Sequence, residues 1–241
     1  IDGREVGLGH PAFIVAELSG NHLGSYKTAV KLTKAAAKAG ADAVKLQTYT
    51  PDTMTIDSQK KWFIVSGAKT PKTWKGKTLY ELYKNAHTPW EWQPKLKKIA
   101  EDLGLILFST PFDETAVDFL EKMNVPCYKI SSYEVTDVPL LKRVARTRKP
   151  VILSVGFANI PEINQAVETL RENGCSQIAL LHCVTAYSGT PDLERMNLQT
   201  ISDLRTRFRV VSGFSDNNAG IEVPLYSVAM GSSIVEKHFI L

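Results

Sequence analysis

Apolar residues recur along the chain in two alternating patterns. Short runs dominated by Val, Ile, Leu, Ala and Phe appear at Ala12–Ala16, Ala43–Gln47, Leu105–Phe108, Cys127–Ile130 and Val151–Leu153, then at Gln177–Leu181, Arg209–Ser212 and Ser233–Phe239. Between them lie segments with helical spacing. Ala29, Leu32, Ala36 and Ala39 share one face of 26–39, and Gly40 ends that helix. Further helices are expected near 90–102, 137–146, 197–207 and 220–231, and one carrying Ala116, Val117 and Leu120. Asp113 can cap one, and Asn159 with Pro161 opens another, carrying Ile163, Ala166, Val167 and Leu170 at i, i+3, i+4, i+7 and closing near Gly174. Short strands that are apolar on both faces and separated by helices imply a parallel sheet. Eight such units predict a closed (β/α)8 barrel, a TIM barrel in one domain over residues 1–241. No GxGxxG follows the first strand to favour a doubly wound sheet. The chain reaches Leu241 directly after the eighth run, so no eighth helix is expected. The longest connection, about 50–89, is read as a loop carrying Trp62, Phe63, Trp74, Tyr80, Tyr83 and Pro89, and loops of that length are usually functional.

Composition narrows the class. With 241 residues, 44% hydrophobic and 22% charged, the chain can bury a sizeable core, and no run approaches the ~20 apolar residues of a membrane span. The charge of +4 is too mild to imply nucleic acid, and the basic residues are dispersed apart from Lys72, Lys75 and Lys77, read as a solvated loop. Three cysteines without CxxC spacing, and no secretory signal at Ile1-Asp2-Gly3-Arg4-Glu5, fit a reducing cytoplasm, although the missing initial Met hints at a trimmed start.

In such barrels the active site lies at the C-terminal strand ends. Here those ends carry Glu17; Lys45 and Gln47; Ser109 and Thr110; Lys129, Ser131, Ser132 and Glu134; Ser154 and Gly156; His182, Thr185 and Tyr187; Ser215 and Asp216; and Glu236, Lys237 and His238. Lysines and hydroxyls converging on one mouth suit a phosphorylated, carboxylated small molecule. Lys45, Lys129 and Glu17 sit in apolar strands, where an unpartnered charge is costly. The serines serve equally well as caps or turn residues, a lone His238 as a structural residue, and Cys183 as a small core residue.

Ala16-Glu17-Leu18-Ser19-Gly20-Asn21-His22, Lys45-Leu46-Gln47-Thr48-Tyr49 and Phe108-Ser109-Thr110-Pro111-Phe112-Asp113 recur in one family. So do Tyr128-Lys129-Ile130-Ser131-Ser132, Leu181-His182-Cys183 and Glu236-Lys237-His238-Phe239. The chain resembles the sialic acid synthase family, whose members condense phosphoenolpyruvate with an amino sugar. Residues 50–55, Leu79–Tyr83 and Ala86–Trp92 are most similar to the pseudaminic acid branch, which implies 2,4-diacetamido-2,4,6-trideoxy-altrose as the sugar and pseudaminic acid as the product. The resemblance implies that Lys45, Thr110, Thr185 and Ser215 hold the phosphate and that Lys129, Ser132 and Ser154 hold the carboxylate. It makes Glu17 and Lys129 the catalytic pair, with Glu17 handling protons, and has Gln47 and Tyr187 line the pocket. It also implies a divalent ion, manganese or magnesium, at His238 and at Asn217. Asn217 stands where the family usually has histidine, which implies weaker metal affinity and a preference for magnesium. The resemblance further implies a homodimer, formed in the family through an antifreeze-like C-terminal domain that is not expected within residues 1–241. N-acetylneuraminate synthesis from N-acetylmannosamine, a silent phosphoenolpyruvate-binding homologue, and a barrel aldolase forming a Schiff base on Lys45 or Lys129 remain open alternatives.

Overall fold

A computed structural model describes residues 1–67, 70, 72–185 and 191–241. Eight parallel strands form one closed barrel in sequence order. They are β1 (Phe13–Glu17), β2 (Ala43–Thr48), β3 (Ile106–Pro111), β4 (Tyr128–Ile130), β5 (Val151–Ser154), β6 (Ile178–Cys183), β7 (Val211–Asp216) and β8 (Ile234–His238). Closure is direct, since β1 pairs with β2 on one side and with β8 on the other, Glu17 lying opposite Lys45 and opposite His238. The helices are α1 (Tyr26–Lys38), α2 (Pro51–Met54), α3 (Leu79–Ala86), α4 (Gln93–Asp102), α5 (Glu114–Lys122), α6 (Val138–Ala145), α7 (Ile160–Glu172), α8 (Thr200–Phe208) and α9 (Glu222–Ala229).

Local chemistry explains their ends. Asp113 accepts from the Thr115 and Ala116 N–H groups at the start of α5, and Asn159 with Glu162 forms a reciprocal capping box on α7. The long connection is not a bare loop. It holds α2, α3 and an antiparallel bridge between Ile64 and Thr78. Thr78 and Glu81 cap α3 in the same reciprocal way, the Thr-x-x-Glu signal that turns this stretch into helix. Lys72, Lys75 and Lys77 are exposed, as expected.

One buried cluster joins Phe13, Ala43, Phe108, Cys127, Ile152, Leu181 and Ile234, residues from strands all round the barrel, and therefore fills its interior. Ile1 and Val6 of the N-terminal segment pack against it. The two larger clusters join the outer strand faces to the helices. Since side chains alternate along a strand, counting upward in twos from the interior cluster names the residues that face the mouth. β7 packs closely against its neighbours at Gly213. A Cβ there would lie 2.3 Å from the Ile234 carbonyl oxygen and 2.7 Å from Leu181 Cδ2. Gly213→Ala is expected to force β7 and β8 apart and to cost about 1–3 kcal/mol. The thermal midpoint should fall by about 2–4 °C for each kcal/mol lost. An unchanged midpoint would show that the strands yield freely.

On the outside, α9 has apolar residues on every face, and Ile221, Leu225 and Tyr226 beside it or on it are exposed. No helix among the described residues is long and apolar enough to cross a membrane.

Candidate active site

Counting in twos from Val15, Ala43, Phe108, Cys127, Ile152, Leu181, Gly213 and Ile234 gives Glu17, Lys45, Thr110, Lys129, Ser154, Cys183, Ser215 and Glu236, one residue per strand. Gln47 and His238 follow one step further out. This ring of mostly polar side chains lies directly above an apolar plug, and its members form two bonded groups, one around Lys45 and one around Lys129.

Lys45 is the hub. Its ammonium is ion-paired with Glu17, donates to Thr110 Oγ1 at 3.1 Å and lies 3.6 Å from Glu236 Oε1. The Glu17 carboxylate also accepts from the Ser19 N–H at 2.9 Å and from Gln47 Nε2 at 3.1 Å. On the far side, Ser215 Oγ donates to Glu236 Oε1 at 3.3 Å. Glu236 Oε2 is buried with no hydrogen-bond partner among the described residues. Burial alone would raise the Glu236 carboxyl, but Lys45, Lys129 and His238 outweigh it and hold the group below the ordinary carboxylate value.

Lys129 forms a second centre. Its Nζ donates to Ser154 Oγ and to the Ile130 carbonyl, both at 2.7 Å. Burial lowers its ammonium below the ordinary lysine value. Lys45 adds to that effect, while Glu236, Cys183 and Glu17 oppose it. Two cations and two carboxylates thus share one interior layer, with 2% of Lys129 and 4% of Lys45 exposed. Beside this centre, Ser132 Oγ accepts from the Gly156 N–H at 3.0 Å. A Cβ on Gly156 would meet the Cys183 carbonyl at 2.3 Å and Thr185 Cγ2 at 2.9 Å, which puts Thr185 at the same edge.

The structure brings together Glu17, Lys45, Gln47, Thr110, Ser215 and Glu236 in one network, and Lys129, Ser154, Ser132 and Thr185 beside it. Tyr187 lies outside the described residues. Four strand-end residues do not join the ring, because they fall on the alternate, outward-facing positions. Ser109 bonds Thr48 Oγ1, which donates to Gln93 on α4. His182 contacts the Met196 carbonyl, and Lys237 pairs with Asp216 at 2.5 Å. Cys183 is a small buried core residue, as expected, and lies at the level of the polar ring. Glu236 is the group that position alone underrated, and its spacing from Ile234 and His238 would have revealed it.

Asn217 directs Nδ2 to Cys183 Sγ at 3.4 Å and to the Val184 carbonyl at 3.3 Å, leaving Oδ1 as the atom it could offer to a cation. Among the described residues no group of three or more His, Cys, Asp and Glu is gathered to hold a metal ion.

The loop after β1 is braced internally and clamped from two sides. Asn21 Nδ2 reaches the Phe239 carbonyl at 3.0 Å. His22 Nδ1 accepts from the Gly24 N–H at 3.1 Å, and His22 Nε2 bonds Thr88 Oγ1 at 3.1 Å. Burial, aided by His87, lowers the His22 imidazole, and burial also lowers His182, against the bond to Met196. Because these rings bind protons more weakly in the folded protein, the unfolded chain takes up protons first as the solution is acidified. The stability they confer is therefore complete above about pH 6.5 and is lost as pH falls from there through the lower folded-state values. The loss amounts to about 1.4 kcal/mol for each tenfold difference in proton affinity between the folded and unfolded chain. Thermal unfolding at about pH 7.5 and about pH 5 should show the loss, and His22→Asn should flatten the dependence. An equally steep acid limb in that variant would assign the effect elsewhere.

The sequence profile of the NeuB family matches residues 32–241. The chain belongs to the NeuB family. Its relatives include the pseudaminic acid synthases of Campylobacter jejuni (strain 81-176), 41% identical over 229 residues, and of Helicobacter pylori, 42% identical over 231 residues. These alignments cover 95% and 96% of this chain but 65% and 66% of the relatives, so the chain spans just under two thirds of their length. Among solved structures, the N-acetylneuraminic acid synthetase of Leptospira borgpetersenii superposes with a TM-score of 0.86 at 30% identity. That match covers 100% of this chain and 77% of the other. The eight-stranded barrel is thus the fold of NeuB family members, and the polar ring occupies the mouth where barrels of this kind carry their sites.

Proposed function

We propose that this chain is the barrel of a synthase that condenses phosphoenolpyruvate with an open-chain acetamido sugar, forming a carbon–carbon bond and releasing phosphate. The observation that carries the reading is the buried ring itself. Lys45 with Thr110 and Ser215 supplies a cation and two hydroxyls on one side, and Lys129 with Ser154 and Ser132 supplies the same kit on the other. A small molecule with a phosphate at one end and a carboxylate at the other fits two such kits. We assign the phosphate to Lys45, Thr110, Ser215 and Thr185, and the carboxylate to Lys129, Ser132 and Ser154.

In this reading carbon 3 of phosphoenolpyruvate attacks the sugar aldehyde carbon, whose oxygen takes up a proton to become a hydroxyl. Water adds at carbon 2, and the C–O bond to phosphate breaks to leave a keto group there. The protons of the water end on that hydroxyl and on the phosphate. Glu17, fixed by Ser19 and Gln47, takes the proton of the attacking water. Lys45 must part from Glu17 to meet the phosphate, which leaves that carboxylate free as a base. His238 and Asn217 Oδ1, with the unpartnered Glu236 Oε2, are the residues that would hold a divalent ion. One imidazole with oxygens suits manganese or magnesium. Such an ion, when bound, polarises the sugar aldehyde as a Lewis acid.

The names of the relatives favour pseudaminic acid as the product, and the family resemblance then implies 2,4-diacetamido-2,4,6-trideoxy-altrose as the sugar. N-acetylmannosamine is the second reading, supported by the superposition on an N-acetylneuraminic acid synthetase. Phosphate release from phosphoenolpyruvate with manganese, offering each sugar separately, tests both. Release with the trideoxy sugar alone is the expected result, release with N-acetylmannosamine alone favours the second reading, and no release with either overturns the synthase assignment for this chain.

A further inference from the structure

Two large aromatic side chains at the barrel rim have no part in the charged layer. Tyr133 and Phe157 are 72% and 51% exposed, yet their rings stand against each other with centroids 4.4 Å apart and planes at 46°. Paired aromatic rings left in water mark a surface built to meet something apolar. Each is held on a short turn. The Glu134 N–H closes one turn on the Ser131 carbonyl at 3.2 Å, and the Ala158 N–H closes the other on the Val155 carbonyl at 3.3 Å. The Gly156 N–H to Ser132 Oγ bond ties the two turns together, and the close approach of Gly156 to the Cys183 carbonyl pins the pair against β6.

These turns continue directly from β4 and β5, whose inward side chains Lys129 and Ser154 are bonded to each other. The rings therefore stand on the solvent side of the carboxylate kit. Burial raises the hydroxyl of Tyr83 on α3, and Glu134 and Tyr133 lie near enough to add to that effect. Glu134 itself is bonded to Ser131, and burial raises its carboxyl above the ordinary value. A sugar that meets phosphoenolpyruvate from above brings hydroxyl groups on one side and C–H and methyl surface on the other. The hydroxyls suit Glu134 and Tyr83, and the apolar surface suits stacked rings.

We propose that Tyr133 and Phe157 form a platform for the C–H face and the acetamido or deoxy methyl groups of the incoming sugar. The platform selects N-acylated, deoxygenated sugars over fully hydroxylated ones. This rests on the synthase reading, and the test separates the two. Saturation-transfer NMR reports which protons of N-acetylmannosamine or of the trideoxy diacetamido sugar touch the protein, whether or not turnover occurs. The wild-type protein should saturate the methyl protons most strongly. Phe157→Ala and Tyr133→Ala should each lose that signal, whereas Tyr133→Phe keeps it. In phosphate-release assays the alanine variants should raise the KM for sugar about tenfold and leave the KM for phosphoenolpyruvate unchanged. Unchanged methyl saturation and sugar KM in both alanine variants would overturn the platform. So would absence of sugar saturation in the wild-type protein, or a change of oligomeric state in the variants with sugar parameters intact, which would make the pair a subunit contact. Failure of phosphate release with methyl saturation present and ring-dependent would instead overturn the synthase reading and leave the platform standing.

Discussion

Replacing Lys129 by alanine is expected to abolish phosphate release and to weaken phosphoenolpyruvate binding about 10- to 100-fold. The side chain is 2% exposed, and its ammonium already spends two hydrogen bonds on Ser154 and the Ile130 carbonyl. A carboxylate arriving there meets a cation that bulk water does not reach, and a hydrogen bond to a charged group is worth about 1.5–3 kcal/mol. Calorimetric titration of phosphoenolpyruvate would give the loss. Lys129→Met, which keeps most of the volume, separates charge from packing. If the methionine variant binds normally, the carboxylate does not sit at Lys129. The pH dependence has a sign as well. Because burial lowers the Lys129 ammonium, the free protein should lose affinity on the alkaline side before an ordinary lysine, with its value of 10.5, would deprotonate.

Glu17→Gln should lower turnover by about 10²- to 10⁴-fold, the usual worth of a positioned proton acceptor, while leaving phosphoenolpyruvate affinity within a few-fold of normal. The amide keeps an oxygen for the Ser19 N–H and fills the same space. It cannot accept a proton, and it releases Lys45 from its ion pair without removing the cation or its bond to Thr110. A kcat that survives the substitution would exclude Glu17 as the base. A parallel collapse of phosphoenolpyruvate affinity would show that its task is to hold Lys45 in place.

The eight strands were legible because most are buried on both faces, and runs such as Val151-Ile152-Leu153 have no other reading between two helical segments. Site residues were legible only by position at a strand end, and position does not say which way a side chain points. Glu236 and Lys237 are neighbours at one strand end, yet the first is buried beside Lys45 and the second pairs outside with Asp216. Alternation from an interior anchor such as Ile234 resolves the ambiguity, but the anchor becomes certain only when the barrel closes. The α3 segment was hidden for a different reason. Its Thr78–Glu81 box and the spacing of Leu79, Leu82, Tyr83 and Ala86 make a signal of only two turns, easily lost inside about forty residues with no other regular period. The bond from His22 to Thr88 joins residues 66 apart, and no local pattern announces it.

The placement of the charged ring within the barrel wall also governs how the protein meets ionic strength. Pairs such as Lys98–Asp102 and Arg207–Asp203 stand in solvent, where counter-ions at about 1 M salt screen beyond about 3 Å. Lys45, Glu17, Lys129 and Glu236 are buried, and at their contact distances their mutual attraction passes through protein more than through electrolyte. Concentrated salt would thus weaken the outer ion pairs well before the contacts within the inner ring.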